Sequence, residues 1–238
     1  SGRLGVLAAA EMPPPFGTSR DLVQAVMAGG KNAFLRPKEG VEDDYEEGAR
    51  AIARLKPAKH DVVIGVSASG MTSFVRGALT RARRAGSKII FITCDPSTEL
   101  QTFVDLTIAP GVGPEVIAGS TRLKAGTATK IVLNMLTTAA MVRIGKTYGN
   151  LMVDVQMGAE KRRDRARRII TIVTGLDDEA ADVLLRRARW NVKAAIVMQR
   201  SGLTYPQALS RLRRAHDFVR EAIGEDVEGR LKDLLKVG

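Results

Sequence analysis

The stretch DVVIGVSASGMTSFVRGALTRARRAGSKIIFITC, residues 61–94, decides the fold. It opens and closes on short apolar runs rich in β-branched residues, DVVIGVS at 61–67 and KIIFITC at 88–94. Runs that are apolar throughout, instead of alternating, predict strands covered on both faces, the state of central strands in a parallel sheet. Between them, TSFVRGALTRARRAG places Phe74, Val75, Ala78, Leu79 and Ala82 on one helical face, and Gly86 supplies a C-terminal stop. Strand, helix and strand in that order make a βαβ unit.

Working outward, VDLTIAP at 104–110 reads as a third strand of the same kind. VEDDYEEGARAIARLK, 41–56, reads as a helix with acids in its first turn, which suits the helix dipole. VQAVMAGG before it is strand or helix, and its periodicity does not decide. ATKIVLNMLTTAAMVRIGK, 128–146, is a mostly apolar helix expected to lie buried against the sheet. Beyond Asp154 strand signals stop. Four helical segments follow: EKRRDRARRIITIVTG, LDDEAADVLLRRA, WNVKAAIVMQRSG and TYPQALSRLRRAHDFVREAI, with Asp and Thr at cap positions and Gly175 and Gly202 as breaks. The expected fold is α/β, a three-layer sandwich about a central, mostly parallel sheet over 1–155, with a small helical module over 156–238.

A chain of 238 residues holds at most two ordinary units, and 45% apolar content is globular. No apolar run approaches the roughly 18 residues that span a bilayer, so no membrane partner is expected. One cysteine, Cys94, forms no internal disulfide, and no cleavable leader opens the sequence; a reducing, cytoplasmic setting is expected. The net charge of +11 raises the question of a nucleic-acid partner. The arginines between Arg162 and Arg214 fall at helical spacing beside Asp and Glu, and aromatic residues make up only 4%. Solvated helix faces account for this charge, and nucleic acid is not an expected partner.

Three loops are rich in anion-binding groups. SASGMTS, directly after the first strand, offers the hydroxyls of Ser67, Ser69 and Thr72, with Gly70 freeing the backbone just before a helix N-terminus. SGRLGVLAAAE at 1–11 is a Ser-Gly turn opening a helix. GPEVIAGSTRLKAGTATK at 113–130 adds four Ser or Thr hydroxyls and the cations Arg122, Lys124 and Lys130. Together they suit a phosphorylated sugar better than a nucleotide base. Neither G-x-G-x-x-G nor a complete G-x-x-x-x-G-K-[ST] loop is present, which tells against dinucleotides and ATP. His60 and His216 lack partners at ligand spacing, so they are read as structural or surface residues, and Cys94 as a small buried hydrophobe.

The segments SGRLGVLAAAEMPPPFG, AGG, GVEDD, SASGMTSFVRGAL and, above all, GPEVIAGSTRLKAGTATKIVLNMLTTAAMVRIGKTYGNLMVDV resemble the N-acetylmuramic acid 6-phosphate etherases, lyases of the sugar isomerase (SIS) fold. The resemblance covers almost the whole chain and implies a helical module similar to the three-helix ubiquitin-associated type. It implies cleavage of a D-lactyl ether during cell-wall sugar recycling, in a homodimer, with no metal or redox cofactor. The family's catalytic acids fall on Glu11 and Glu42. Phosphate contacts fall on Ser1, Ser67, Ser69 and Thr72, and sugar contacts on Glu115, Ser120, Arg122 and Lys124.

An elimination of this type calls for two carboxylates on chemical grounds, one to take a carbon-bound proton and one to protonate the departing ether oxygen. Which glutamate does which stays open. Two departures from the family pattern stand out. Family members carry a further helix and strand ahead of SGRLG, so the chain reads as N-terminally truncated with a sheet edge unpaired. Met71 stands where the family usually has arginine. Both keep in play a second function, a non-catalytic sugar-phosphate sensor of the glucokinase-regulatory type.

Overall fold

The structure is a computed structural model that describes residues 1–157 and 160–225; the expected module's residues 158–159 and 226–238 lie outside it. In chain order the elements are α1 (Gly2–Ala10), α2 (Pro13–Phe16), α3 (Asn32–Leu35), α4 (Tyr45–Ala53), β1 (Val62–Val66), α5 (Ser73–Arg84), β2 (Lys88–Ile92) and β3 (Leu106–Ile108). They continue with α6 (Lys124–Arg143), β4 (Thr147–Tyr148), β5 (Leu151–Met152), α7 (Glu160–Thr174), α8 (Asp178–Arg187), α9 (Val192–Ser201), α10 (Tyr205–Arg214) and α11 (Val219–Ile223). Short 3-10 turns occupy Val41–Asp43 and Glu99–Thr102. Two units result, one of Ser1–Ala10 with Arg20–Leu136, the other of Glu11–Ser19 with Thr137–Gly238.

The first unit is built on the βαβ stretch. β1, β2 and β3 form a parallel sheet in that order, with Val62 opposite Lys88, Val66 opposite Ile92 and Ile92 opposite Ile108. Successive residues of β2 point to opposite faces, so one strand serves two cores. Ile89 and Phe91, both fully buried, pack with Leu79 and Ala82 of α5 and with Leu100. Ile92 packs on the other face with Ala8 of α1 and Leu133 of α6. Helices therefore cover both faces, and the three-layer arrangement follows. Gly65 lets α5 settle onto β1: a Cβ there would lie 2.7 Å from Leu79 Cδ1.

Several expectations need correction. Only β2 is a central strand among the described residues; β1 and β3 are the sheet's edges, and Val62 and Leu106 are about half exposed. Residues 23–30 are neither strand nor helix but irregular chain ending in a turn at 28–30, and Gly29 and Gly30 both take positive φ. The acidic helix starts at Tyr45, where Asp44 accepts from Glu47 N at 2.7 Å as an N-cap; Glu42 lies ahead of it in the 3-10 turn. α6 buries one face only, through Ala125, Thr129, Leu133 and Met141, while Ile131, Met135 and Val142 are exposed. Apolarity reports that a helix is apolar, not how many of its faces are covered.

The second unit has the larger core. Ile169 and Ile170 of α7, Leu184 and Leu185 of α8, Ala194 to Met198 of α9 and Leu212 of α10 pack together, with Val153 joining from beyond β5. Among the described residues, five helices stand where four were expected, because His216 and Asp217 take positive φ and separate α10 from α11. Asp177 and Asn191 cap α8 and α9, accepting from Ala180 N and Ala194 N. Several of the arginines are engaged locally: Arg167 and Arg186 pair with Asp182, and Arg163 and Arg189 lie over the rings of Trp190 and Tyr205. Lys193, 3% exposed on α9, pairs with Asp154; a buried ammonium costs several kcal/mol unless it is so matched. Among the described residues no helix is long and apolar enough to cross a membrane.

Candidate active site

In a parallel sheet the strands' carboxyl ends and the following helix N-termini share one edge. β1 ends at Val66, and the chain turns through Ser67 to Thr72 before α5. Ser67, 2% exposed, shares a 2.7 Å hydrogen bond between its Oγ and Thr72 Oγ1. Thr72 is the N-cap residue of α5, yet its side chain makes no bond to its own helix. The first-turn N–H groups of α5 are thus left without a side-chain cap, an arrangement that attracts anions.

Gly70 forms the point of this turn. Its φ of +76 is left-handed, its carbonyl accepts from Thr98 Oγ1 at 2.9 Å, and a Cβ would meet Thr98 Cβ at 2.7 Å. Thr98 follows β2 and is a positioning residue that sequence reasoning missed; its place after a strand's carboxyl end was the available signal. Ser69 is exposed, and its Oγ accepts from Met71 N at 3.5 Å. Met71 is 80% exposed.

Ser1 joins this loop directly, since Ala68 N donates to Ser1 Oγ at 3.1 Å. Two residues on, Arg3 donates from Nε to Phe34 O at 2.8 Å and from Nη2 to Ala33 O at 2.9 Å. That second missed residue ties the start of α1 to α3, on the stretch leading to Glu42. The 3-10 turn bearing Glu42 packs on α5, with the carboxylate exposed.

The loop 113–123 reaches the same edge by another route. Cys94, after β2, sits beside the start of α6, its Sγ 3.9 Å from Ala125 O; burial pushes its thiol up, away from nucleophilic character. Glu115 bends back over that start, Oε2 accepting from Lys124 N at 3.0 Å and Oε1 from Ala125 N at 2.9 Å. The Ala125 amide, helped by that of Lys124, holds the Glu115 carboxyl below the usual carboxylate range against the opposing effect of burial. Ser120 is half-buried in a turn between Ile117 and Leu123, and Arg122 and Lys124 are exposed. Hydrogen bonds thus link Ser1, Ser67 and Thr72 through Ala68 and the loop, while Glu115 and Lys124 form a second group joined to the first by Cys94. Glu11 follows α1 and belongs to the second unit with the rest of Glu11–Ser19.

The chain matches the SIS domain over residues 46–139 and the glucokinase regulatory protein N-terminal SIS domain over residues 1–83. It is 45% identical to the N-acetylmuramic acid 6-phosphate etherase of Alkaliphilus metalliredigens, over 96% of this chain and 75% of the relative. It is 49% and 50% identical to those of Salinibacter ruber and Nostoc, over 95% and 94% of this chain and 73% of each relative. This chain belongs to the N-acetylmuramic acid 6-phosphate etherase family. Residues 1–11, α1 and the loop after β1 all lie inside residues 1–83, the part matched by the glucokinase regulatory protein N-terminal SIS domain. The glucokinase-regulatory reading is not favoured: its model shares the fold over the first part of the chain, whereas the etherases match along nearly all of it.

Proposed function

We propose that this chain cleaves the D-lactyl ether of N-acetylmuramic acid 6-phosphate to N-acetylglucosamine 6-phosphate and D-lactate, in cell-wall sugar recycling, with Glu11 and Glu42 handling the protons. The observation that carries the activity is identity of 45–50% to three such etherases across at least 94% of the chain. The uncapped N-terminus of α5 and the hydroxyls of Ser1, Ser67, Ser69 and Thr72 are suited to the 6-phosphate. Glu115, Ser120, Arg122 and Lys124 line the sugar. Glu115, already accepting two amides, keeps a second lone pair on each oxygen for sugar hydroxyls.

In the open-chain sugar the proton on C2 is acidified by the C1 aldehyde. Glu42 removes it, and the C3–O bond breaks with the electron pair leaving on the lactyl oxygen. Glu11 protonates that oxygen, releasing D-lactate and an unsaturated aldehyde. Water then adds: Glu11 takes its proton as hydroxide joins C3, and Glu42 returns a proton to C2. Each carboxyl finishes in its starting state.

We also take residues 1–155 as the phosphosugar-binding domain and 156–238 as an appended helical module. The setting is the cytoplasm, where phosphorylated sugars are made, and the active form is a homodimer. The exposed Ile131, Met135 and Val142 face of α6 supports pairing, which light scattering on the purified chain reads directly. D-lactate release from N-acetylmuramic acid 6-phosphate tests the activity, and Glu11→Gln tests the acid. Loss of one positioned acid/base group lowers kcat about 10²–10⁴-fold with folding retained. Unchanged turnover in Glu11→Gln removes Glu11 from the reaction, and no lactate from the wild-type chain removes the reaction itself.

A further inference from the structure

In the second unit one carboxylate oxygen answers two ammonium groups. Asp154 Oδ2 accepts from Lys146 Nζ at 2.9 Å and from Lys193 Nζ at 2.7 Å. Lys146 and Asp154 flank the β4–β5 hairpin, whereas Lys193 comes from the first turn of α9, where Val192 and Ala194 to Met198 are all buried. Well-packed apolar residues in place of a whole buried ion pair are often as stable or more so, so stability alone does not explain an ion pair here. What it achieves is placement. The lysine fixes the Asp154 side chain from inside the helical core.

The backbone of Asp154 is where the segment Glu11–Ser19 is seated. Gly17 lies so close that a Cβ would stand 2.4 Å from Asp154 O, and its φ of +59 is left-handed, so glycine alone fits. Two residues further on, Gln156 N donates to Pro14 O at 3.5 Å, and Arg162 of α7 holds Gln156 O at 3.2 Å. The seated segment is stiff. Pro13, Pro14 and Pro15 fix three successive φ angles, and Met12, Phe16 and Thr18 are buried. A displacement at Gly17 is therefore carried back to Glu11 with little loss.

We infer that Lys193 is a positioning residue: by pinning Asp154 it sets the carbonyl on which Gly17 rests, and so sets where the Glu11 carboxylate stands. This gives the C-terminal helices a part in the reaction, and it rests on the reading of Glu11 as the proton-handling group. An error of about 1 Å in a reacting group costs up to about 10²-fold in rate. A loss in kcat with KM nearly unchanged is the signature, because no phosphate or sugar contact is touched.

The test is Lys193→Met in the full chain, compared with Leu212→Ala, which hollows the same core on α10 without touching Asp154. Two quantities are read below the unfolding temperature: kcat and KM for D-lactate release, and hydrogen-exchange protection of the Phe16 and Gly17 amides, which bond to Met12 O and Pro13 O. Lys193→Met is expected to lower kcat at least about tenfold with KM within about twofold, and to expose both amides. Leu212→Ala lowers the melting temperature and leaves both readouts in place. Should Lys193→Met not fold, Asp154→Asn takes its place with the same expectations. Unchanged kcat and protection, or an equal loss in Leu212→Ala, overturns the inference. If the wild-type chain releases no lactate the etherase reading falls, while amide protection still decides whether Lys193 holds the segment.

Discussion

Two helices of the first unit begin at the same sheet edge, and their N-termini are finished in opposite ways. At α5 the cap residue Thr72 turns its hydroxyl to Ser67 and leaves its own helix without a side-chain cap. At α6 the carboxylate of Glu115 accepts from both Lys124 N and Ala125 N. A helix start carries roughly half a positive charge and several orphan N–H groups, so each solution has an electrostatic meaning. The filled end is a structural joint that fixes loop 113–123. The open one is suited to an anion from outside. The difference supports the proposal that the phosphate binds at α5 and the sugar's hydroxyls on the α6 side, and that proposal is open to attack at three positions.

The largest effect is expected at Gly70, which keeps α5's end open. Gly70→Val forces a β-branched residue into left-handed φ and drives its Cβ to 2.7 Å from Thr98 Cβ. Strain of this kind costs about 1–3 kcal/mol before the clash is counted. The 2.9 Å bond from Thr98 Oγ1 to the Gly70 carbonyl is lost as the loop moves. Stability should fall by about 2–4 kcal/mol, and KM for the phosphorylated substrate should rise at least about tenfold, one ordinary charge-assisted hydrogen bond. A Gly70→Val chain that binds as the wild type does would mean that the phosphate sits elsewhere.

How much of this was legible in the residues depends on how local each cause is. The βαβ order of 61–94 read correctly because the two unbroken apolar runs, the helical period between them, the stop at Gly86 and the hydroxyls after Val66 all lie within one unit. Whether β1 is a central or an edge strand is a tertiary fact, and its own apolar run does not contain it. Residues 23–30 carry apolar side chains without a period, and the two positive-φ glycines there decide for turn. Glu115 was assigned to the sugar, and its bond to the start of α6 could not be foreseen, because it arrives from nine residues before Lys124 rather than from a local capping box. Glu11 and Glu42 were found only through the family motif; exposed carboxylates in turns carry no chemistry of their own. Lys193 was passed over in the sequence, where it is a lone charge in the apolar run VKAAIVM, and its partner Asp154 is a tertiary fact.

A moderate effect is expected at Met71, the residue just ahead of Thr72. At 80% exposure its side chain supports no packing, so Met71→Arg loses nothing and brings a forked cation to the open end of α5. KM for the phosphorylated substrate should fall a few-fold, equivalent to about 0.5–1 kcal/mol for an exposed charge pair. The gain should shrink as salt rises from about 0.05 M to about 0.5 M, because exposed charges are screened. The melting temperature should stay put. A salt-independent gain would mean that arginine acts by packing, and the open end would lose its electrostatic significance.

The smallest effect is at the filled end. Glu115 has its carboxyl held below the ordinary range, first by the Ala125 amide and then by that of Lys124, so the folded chain binds this proton more weakly than the unfolded chain. A depressed folded pKa contributes stability above the unfolded value, about pH 4.3 for glutamate, and loses it as pH falls through the lower folded value. Glu115→Gln retains one acceptor oxygen and discards the charge. At neutral pH it should therefore melt slightly below the wild type, and the gap should close between about pH 5 and about pH 3 as the wild-type carboxylate takes up its proton. Melting curves across that range measure it. A gap that widens towards acid would place the proton-sensitive group elsewhere, and a gap independent of pH would mean that Glu115 holds α6 by shape alone. Closure of the gap separates the two ends: the charge at the α6 start serves the fold, whereas the charge proposed for α5 comes with the substrate.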